Sequence, residues 1–173
     1  MKEQETIALG VENSRELLGR YLVGFTDENK TKSAPGLPNH AAWTLGHLSY
    51  VLHRVAIRLD GGTLPGEAFI EGSARGDTSR FGVEGVAVGS TPVHDGTAYP
   101  AWARCVAIFD GACARVSGAF RELPAERLED RIPWGKNDMS LRELGLRMIF
   151  HNGTHCGEIV DLRRALGFER VIK

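Results

Sequence analysis

From Ser140 to Leu166 apolar residues return with the period of an α-helix, and this stretch constrains the fold more than any other. Each helical residue turns the direction by about 100°. Measured from His151, the positions Leu144, Met148, His155, Ile159, Leu162 and Leu166 fall within one apolar stripe. Ser140-Leu141-Arg142-Glu143 has the S-x-x-E form of a capping box, in which each side chain satisfies a free backbone N–H of the first turn. Gly167 supplies an αL cap at the other end. A helix with such a stripe must bury it against partners.

Three upstream stretches have the same character. Ile7, Val11, Leu18, Tyr21 and Leu22 mark a helix from Gln4 to Val23. Asn39 is the expected N-cap of a second helix reaching Asp60, where Gly61-Gly62 ends it. Trp102, Cys105, Phe109, Ala112, Val116, Ala119 and Leu123 mark a third, from about Thr97 to Leu123, with Pro100 in its first turn. Strand alternation of useful length and internal repeats are both lacking. Between the second and third helices, Gly61–Asp95 is rich in Gly, Ser and Thr and long enough to cross the molecule, so that those two helices run parallel. The expectation is a single all-α domain over residues 1–173: a four-helix bundle with one long crossover between helices 2 and 3.

Composition narrows the function classes. Net charge is −1 and no Lys/Arg run forms a basic stripe, so no nucleic-acid partner is expected. Met1–Glu5 is polar and acidic, unlike a secretory signal, and no apolar run approaches the ~20 residues that span a bilayer. The three cysteines, Cys105, Cys113 and Cys156, form no C-x-x-C pair; reduced packing thiols in a cytoplasmic protein fit best.

The histidines carry the chemistry. His151 and His155 lie at i and i+4 in the middle of the core stripe, so their rings are neighbours that can share a metal. A lone histidine on an apolar face is more often a hydrogen-bonded core residue, but two buried imidazoles both need polar partners. His47, among Trp43, Thr44, Tyr50 and Val51 on the second helix, is the best third ligand, flanking the Leu45, Leu48, Leu52 and Leu59 stripe. His40 competes for that place but suits solvent or capping duty at the helix start. His53 faces the opposite, polar side, and His94 sits in the long connection.

Glu158, seven residues after His151, can orient a ligating imidazole, act as a fourth ligand or serve as a base; the plain alternative is a salt bridge to Arg54. Arg54 and Arg58 can instead receive an anionic substrate. Gly145, Gly153 and Gly157 in the last helix imply close approach of a neighbouring helix. Ile149, Phe150, Cys156 and Val160 form a second apolar surface, which suits a homodimer contact.

Trp43-Thr44-Leu45-Gly46-His47-Leu48 resembles the W-x-x-x-H segment of the DinB-like superfamily, which includes YfiT-type proteins and bacterial thiol-dependent transferases. His151-Asn152-Gly153-Thr154-His155-Cys156-Gly157-Glu158-Ile159 is similar to its H-x-x-x-H-x-G-[EQ]-[IL] segment. The ending Leu162-Arg163-Arg164-Ala165-Leu166-Gly167 and the earlier Pro133-Trp134-Gly135 continue the likeness. The resemblance implies an up-down-down-up bundle, frequent dimerisation and a divalent ion, zinc or nickel first and iron next, on His47, His151 and His155. It also implies a small-molecule substrate and, in known branches, a low-molecular-weight thiol. A thiol-dependent transferase is the leading expectation; a hydrolase that activates water, or a non-catalytic metal- or ligand-binding bundle, is the alternative. The carboxylates of a di-iron bundle and the H-E-x-x-H of a zinc protease are both missing.

Overall fold

The structure, a computed structural model, describes residues 2–172. It is mostly helical, as expected for an all-α chain. Helix α1 spans Glu3–Tyr21, α2 spans Ala41–Asp60, a single turn α3 spans Val83–Val86, α4 spans Trp102–Glu122 and α5 spans Leu141–Ala165. Helix α1 packs on α4 and α5, while α2 packs extensively on α4 and only narrowly on α5. The core runs between these helices, with Ile7, Leu18, Leu45, Leu52, Phe109, Phe120 and Leu144 among its fully buried side chains. The narrow α2–α5 seam is where the functional side chains collect.

Local chemistry explains most helix ends. The capping box of α5 is formed in both directions: Glu143 N–H donates to Ser140 Oγ at 3.1 Å, and Ser140 N–H to Glu143 Oε2 at 2.7 Å. Gly61 ends α2 with a φ of 70°, a conformation that costs glycine little. Two expected starts move. His40, not Asn39, caps α2: its Nδ1 accepts from Trp43 N–H at 3.1 Å. Helix α4 begins at Trp102 and not near Thr97. Pro100 forces Tyr99 before it into extended backbone (φ −131°, ψ 154°), so Gly96–Ala98 is a separate 3₁₀ turn and the proline precedes the helix.

Two small sheets correct the expectation that strands are absent. Phe69–Ile70 (β1) pairs in parallel with Phe81–Gly82 (β2) within the long connection. Arg131–Trp134 (β3) pairs antiparallel with Asn137–Ser140 (β4). This hairpin turns through Gly135 and Lys136, with Gly135 at the positive φ (63°) that a two-residue type II′ turn requires. Its strands have four residues each, too short for alternation to stand out, and Pro133 argues against a strand. Strand β4 runs directly into the N-cap of α5, which ties the base of the hairpin to the start of that helix.

The 61–101 connection is not featureless. It buries Phe69, Phe81, Val86 and Tyr99 over α2, and this covers the helix side expected to face solvent. His53 is therefore buried, against Phe69 and beside the Arg115 guanidinium, instead of lying on a polar face. Among the three glycines of α5 that imply close packing, only Gly145 has it, where an added Cβ meets Ile7 and Phe120 at 2.6–2.7 Å. Gly153 and Gly157 face open space.

Candidate metal centre

Across the α2–α5 seam, His47, His151 and His155 each offer a ring nitrogen within 4.8 Å of the other two. Their ring centroids are separated by 5.2 Å (47–151 and 47–155) and 4.8 Å (151–155). Helical spacing in α5 sets the second pair. The first depends on how α2 is held.

His47 is held from two sides. Trp43, one turn earlier, stacks on its ring at 4.8 Å and 4°, and is itself fixed by donation from its Nε1 to Ser90 Oγ at 3.0 Å. From α3, the Val86 carbonyl lies 3.0 Å from His47 Nδ1. A carbonyl can only accept, so Nδ1 carries the proton and the lone pair of Nε2 is left free. Gly46 permits this approach: a Cβ there would stand 2.6 Å from Val86 and 2.8 Å from Phe81.

His155 repeats the arrangement with a carboxylate. Its Nδ1 lies 2.8 Å from Glu158 Oε2, which also accepts from Asn39 Nδ2 at 3.2 Å. Glu158 thus stands behind the imidazole and leaves its Nε2 free, the usual way a second carboxylate orients a ligating histidine. The salt bridge between Glu158 and Arg54 that the sequence suggested does not form among the described residues. Asn39 takes that place.

His151 differs. Its Nδ1 is sealed from solvent without a hydrogen-bond partner, and leaving such an atom unsatisfied costs about 1–3 kcal/mol. Burial first, then the neighbouring His155, His47 and Arg147, push its pKa from 6.5 down to about 3. Burial also lowers His47, against the opposing Val86 carbonyl. Protonation of His47 and His151 is therefore disfavoured, and neutral imidazole is the form that ligates a metal. Neutral nitrogen donors together with an orphaned buried atom fit a divalent ion.

A cavity of about 550 Å³ opens over His47 and His151. Its walls come from α2 (Val51, Arg54), from α5 (Arg147, Met148), from Val88 in the long connection and from the hairpin tip, Trp134–Asn137. Arg54 lines it and Arg58 does not. Sequence reasoning missed Arg147, Lys136 and the hairpin wall; the turn-forming Gly135 was the available signal for the last. His40 and His94 lie elsewhere: His40 is completely buried at the cap of α2, and His94 Nδ1 meets the Thr31 carbonyl at 3.1 Å.

The chain's own thiols take no part. Cys105, Cys113 and Cys156 are free and buried, and burial raises all three pKa values, that of Cys105 to about 12. Among the described residues no helix is long and apolar enough to cross a membrane.

A crystal structure of a conserved protein from Enterococcus faecalis shares the fold, with a TM-score of 0.70 over 96% of this chain and 99% of that one at 15% identity. The chain matches no curated protein. Its residues 11–159 match the sequence profile of the DinB superfamily, which takes in all three histidines and Glu158. The chain belongs to the DinB superfamily.

Proposed function

We propose that this chain is a metal-dependent enzyme, a transferase that joins an external low-molecular-weight thiol to a small electrophile at His47, His151 and His155. The carrying observation is the convergence of three imidazoles beneath an open cavity, two of them with Nδ1 engaged and Nε2 free. A divalent ion held there, zinc or nickel first and iron next, supplies Lewis acidity that gives a thiol its thiolate form at neutral pH. The buried, protonated cysteines of the chain favour a nucleophile from outside.

Each residue has its own part. His47, His151 and His155 ligate. Glu158 holds the proton on His155 Nδ1 and fixes that ring; through it, Glu158 acts as a positioning residue instead of the direct catalytic base or fourth ligand that its sequence position also allowed. Arg54 receives substrate at the cavity wall. The contacts of α1 and α2 with both α4 and α5 support a four-helix bundle, and we take its order as up-down-down-up from the family resemblance. A homodimer in the cytoplasm completes the reading. Cys156 is buried and Ile149 packs towards Gly10, which leaves Phe150, 76% exposed, as the strongest remaining feature of the apolar surface on α5. Sedimentation showing only monomer removes that part.

Elemental analysis of untagged protein, followed by assay on small electrophiles with and without added thiol, tests the function. Stoichiometric metal and thiol-dependent turnover are expected. Turnover in water alone would make the protein a hydrolase, and metal without turnover on a broad panel would leave a binding protein.

A further inference from the structure

We infer that the cavity over the histidines is built to receive a small carboxylate, gripped between Arg54 and Arg147. This deepens the proposed function, on which it rests in placing the reacting end of the substrate at the histidines.

Charge is the first observation. Arg54, Lys136 and Arg147 line the cavity, and no Asp or Glu does, in a chain whose net charge is −1. Most arginines elsewhere are paired, among them Arg15 with Asp110, Arg115 with Asp60, and Arg121 with Glu5 and Glu12; Arg58, Arg104, Arg163 and Arg170 make no ion pair among the described residues, but they line no part of this cavity. Arg54 and Arg147 make no ion pair among the described residues, although they come from different helices and face the same space. Cations left unpaired around one concavity focus a positive potential into it.

Arg54 is also held in a receptive geometry. Its guanidinium carbon lies 5.4 Å from the Trp134 ring centroid and 5.8 Å from that of Tyr50. Stacking on aromatic faces restrains the side chain while leaving the N–H edge of the plane available. That edge presents two parallel donors, the match for a planar carboxylate. A phosphate is less well served. The α2 and α5 residues that line the cavity lie within those helices, so neither helix offers the N-terminal N–H groups with which phosphate sites are commonly built. The volume of about 550 Å³ suits a small organic molecule. Val51, Val88 and Trp134 provide apolar wall for its carbon skeleton. Its anionic end lies at the arginines and the rest points towards His47 and His151.

The test is calorimetric titration of the metal-loaded protein, and of the same protein after chelation, with benzoate, succinate, maleate and inorganic phosphate. Benzamide serves as the neutral control. At least one carboxylate should bind both forms, more tightly than benzamide and phosphate, and more weakly as salt rises. Arg54→Gln and Arg147→Gln change exposed side chains; each should weaken binding roughly tenfold with metal content unchanged, while Arg58→Gln leaves binding as it was. The inference is overturned if none of the carboxylates binds, if benzamide or phosphate binds as well, or if either cavity variant binds carboxylate like the parent. It is also overturned if binding needs the metal and ignores both arginines. Wild-type protein without metal that still binds carboxylate through Arg54 and Arg147 would remove the metal reading and leave this one standing.

Discussion

His40 and His53 make an instructive contrast with the three histidines of the α2–α5 seam. All five come from α2 or its cap and from α5, and burial leads the causes that depress His40, His47, His53 and His151. Neither burial nor a low pKa therefore marks the site. The difference is what the ring nitrogens do. His40 uses both: Nδ1 accepts from Trp43 N–H, and Nε2 donates to the Val93 carbonyl at 2.9 Å, tying the long connection to the start of α2. His53 has Phe69 against its ring and Arg115 beside Nδ1. In the seam, His47 and His155 keep a nitrogen free, and His151 has its Nδ1 without a partner. Unused lone pairs that converge, more than buried rings, distinguish a binding centre from a structural one.

The contrast breaks most sharply at His151. His151→Ala should abolish stoichiometric metal, a loss of more than 100-fold in affinity, because it removes a ligand, whereas losing an outer partner typically costs 10- to 100-fold. The melting temperature of the apo form should fall little, since the substitution also removes an unsatisfied buried nitrogen. Unchanged metal content by elemental analysis would end the assignment. His40→Ala should do the reverse: about 2–4 kcal/mol of stability lost in chemical denaturation, through the missing cap and the orphaned Val93 carbonyl, with metal content retained. Metal loss in a folded His40→Ala protein would erase the distinction between the two groups.

Acid should act on both groups in the apo protein. His40 and His53 are pushed from 6.5 down to about 4, and His151 to about 3. Their folded values lie below the unfolded one, so the unfolded chain binds more protons between pH 6.5 and about 4. Stability is fully present above that window and falls as pH drops through it, by about 1.4 kcal/mol per unit for each fully uncharged histidine. Denaturation curves at pH 7, 6 and 5 check this; a flat profile would contradict the burial argument for all three. The smallest expected effect is at Glu158. Glu158→Gln should weaken metal binding about 10- to 100-fold, and Glu158→Ala should be no milder, because the carboxylate fixes the tautomer and orientation of His155. Equal metal affinity in Glu158→Gln and wild type would reduce Glu158 to a surface partner of Asn39.

Much of this contrast was legible along the chain, and some of it misled. The i, i+4 pair in the middle of the α5 stripe placed His151 and His155 correctly; His40, read as having solvent or capping duty, has the second and takes the N-cap place expected of Asn39. His53 was misread as solvent-facing because α2 seemed to have an outer side; Phe69 and Phe81, from a segment without helical periodicity, fold over it. The Arg54–Glu158 bridge was reasonable from spacing on two helices, yet each found nearer company: Trp134 and Tyr50 for the arginine, His155 and Asn39 for the glutamate. The β3–β4 hairpin went unseen because four-residue strands carry too little alternation, and with it went the wall that brings Trp134 and Lys136 to the cavity.

The amino-acid order by itself determined the four long helices, the capping box at Ser140 and Glu143, and the neighbouring rings of His151 and His155. Those depend on interactions within one or two turns of chain, whose geometry every α-helix shares. Only the tertiary structure decided that His47 completes the cluster, that Val86 and Glu158 set the tautomers, and that Arg54 and Arg147 meet over one cavity. Those pairings depend on how closely α2 approaches α5. Side-chain volumes settle that distance, just as Gly46 lets Val86 and Phe81 of the long connection close on α2, and no local period encodes either approach.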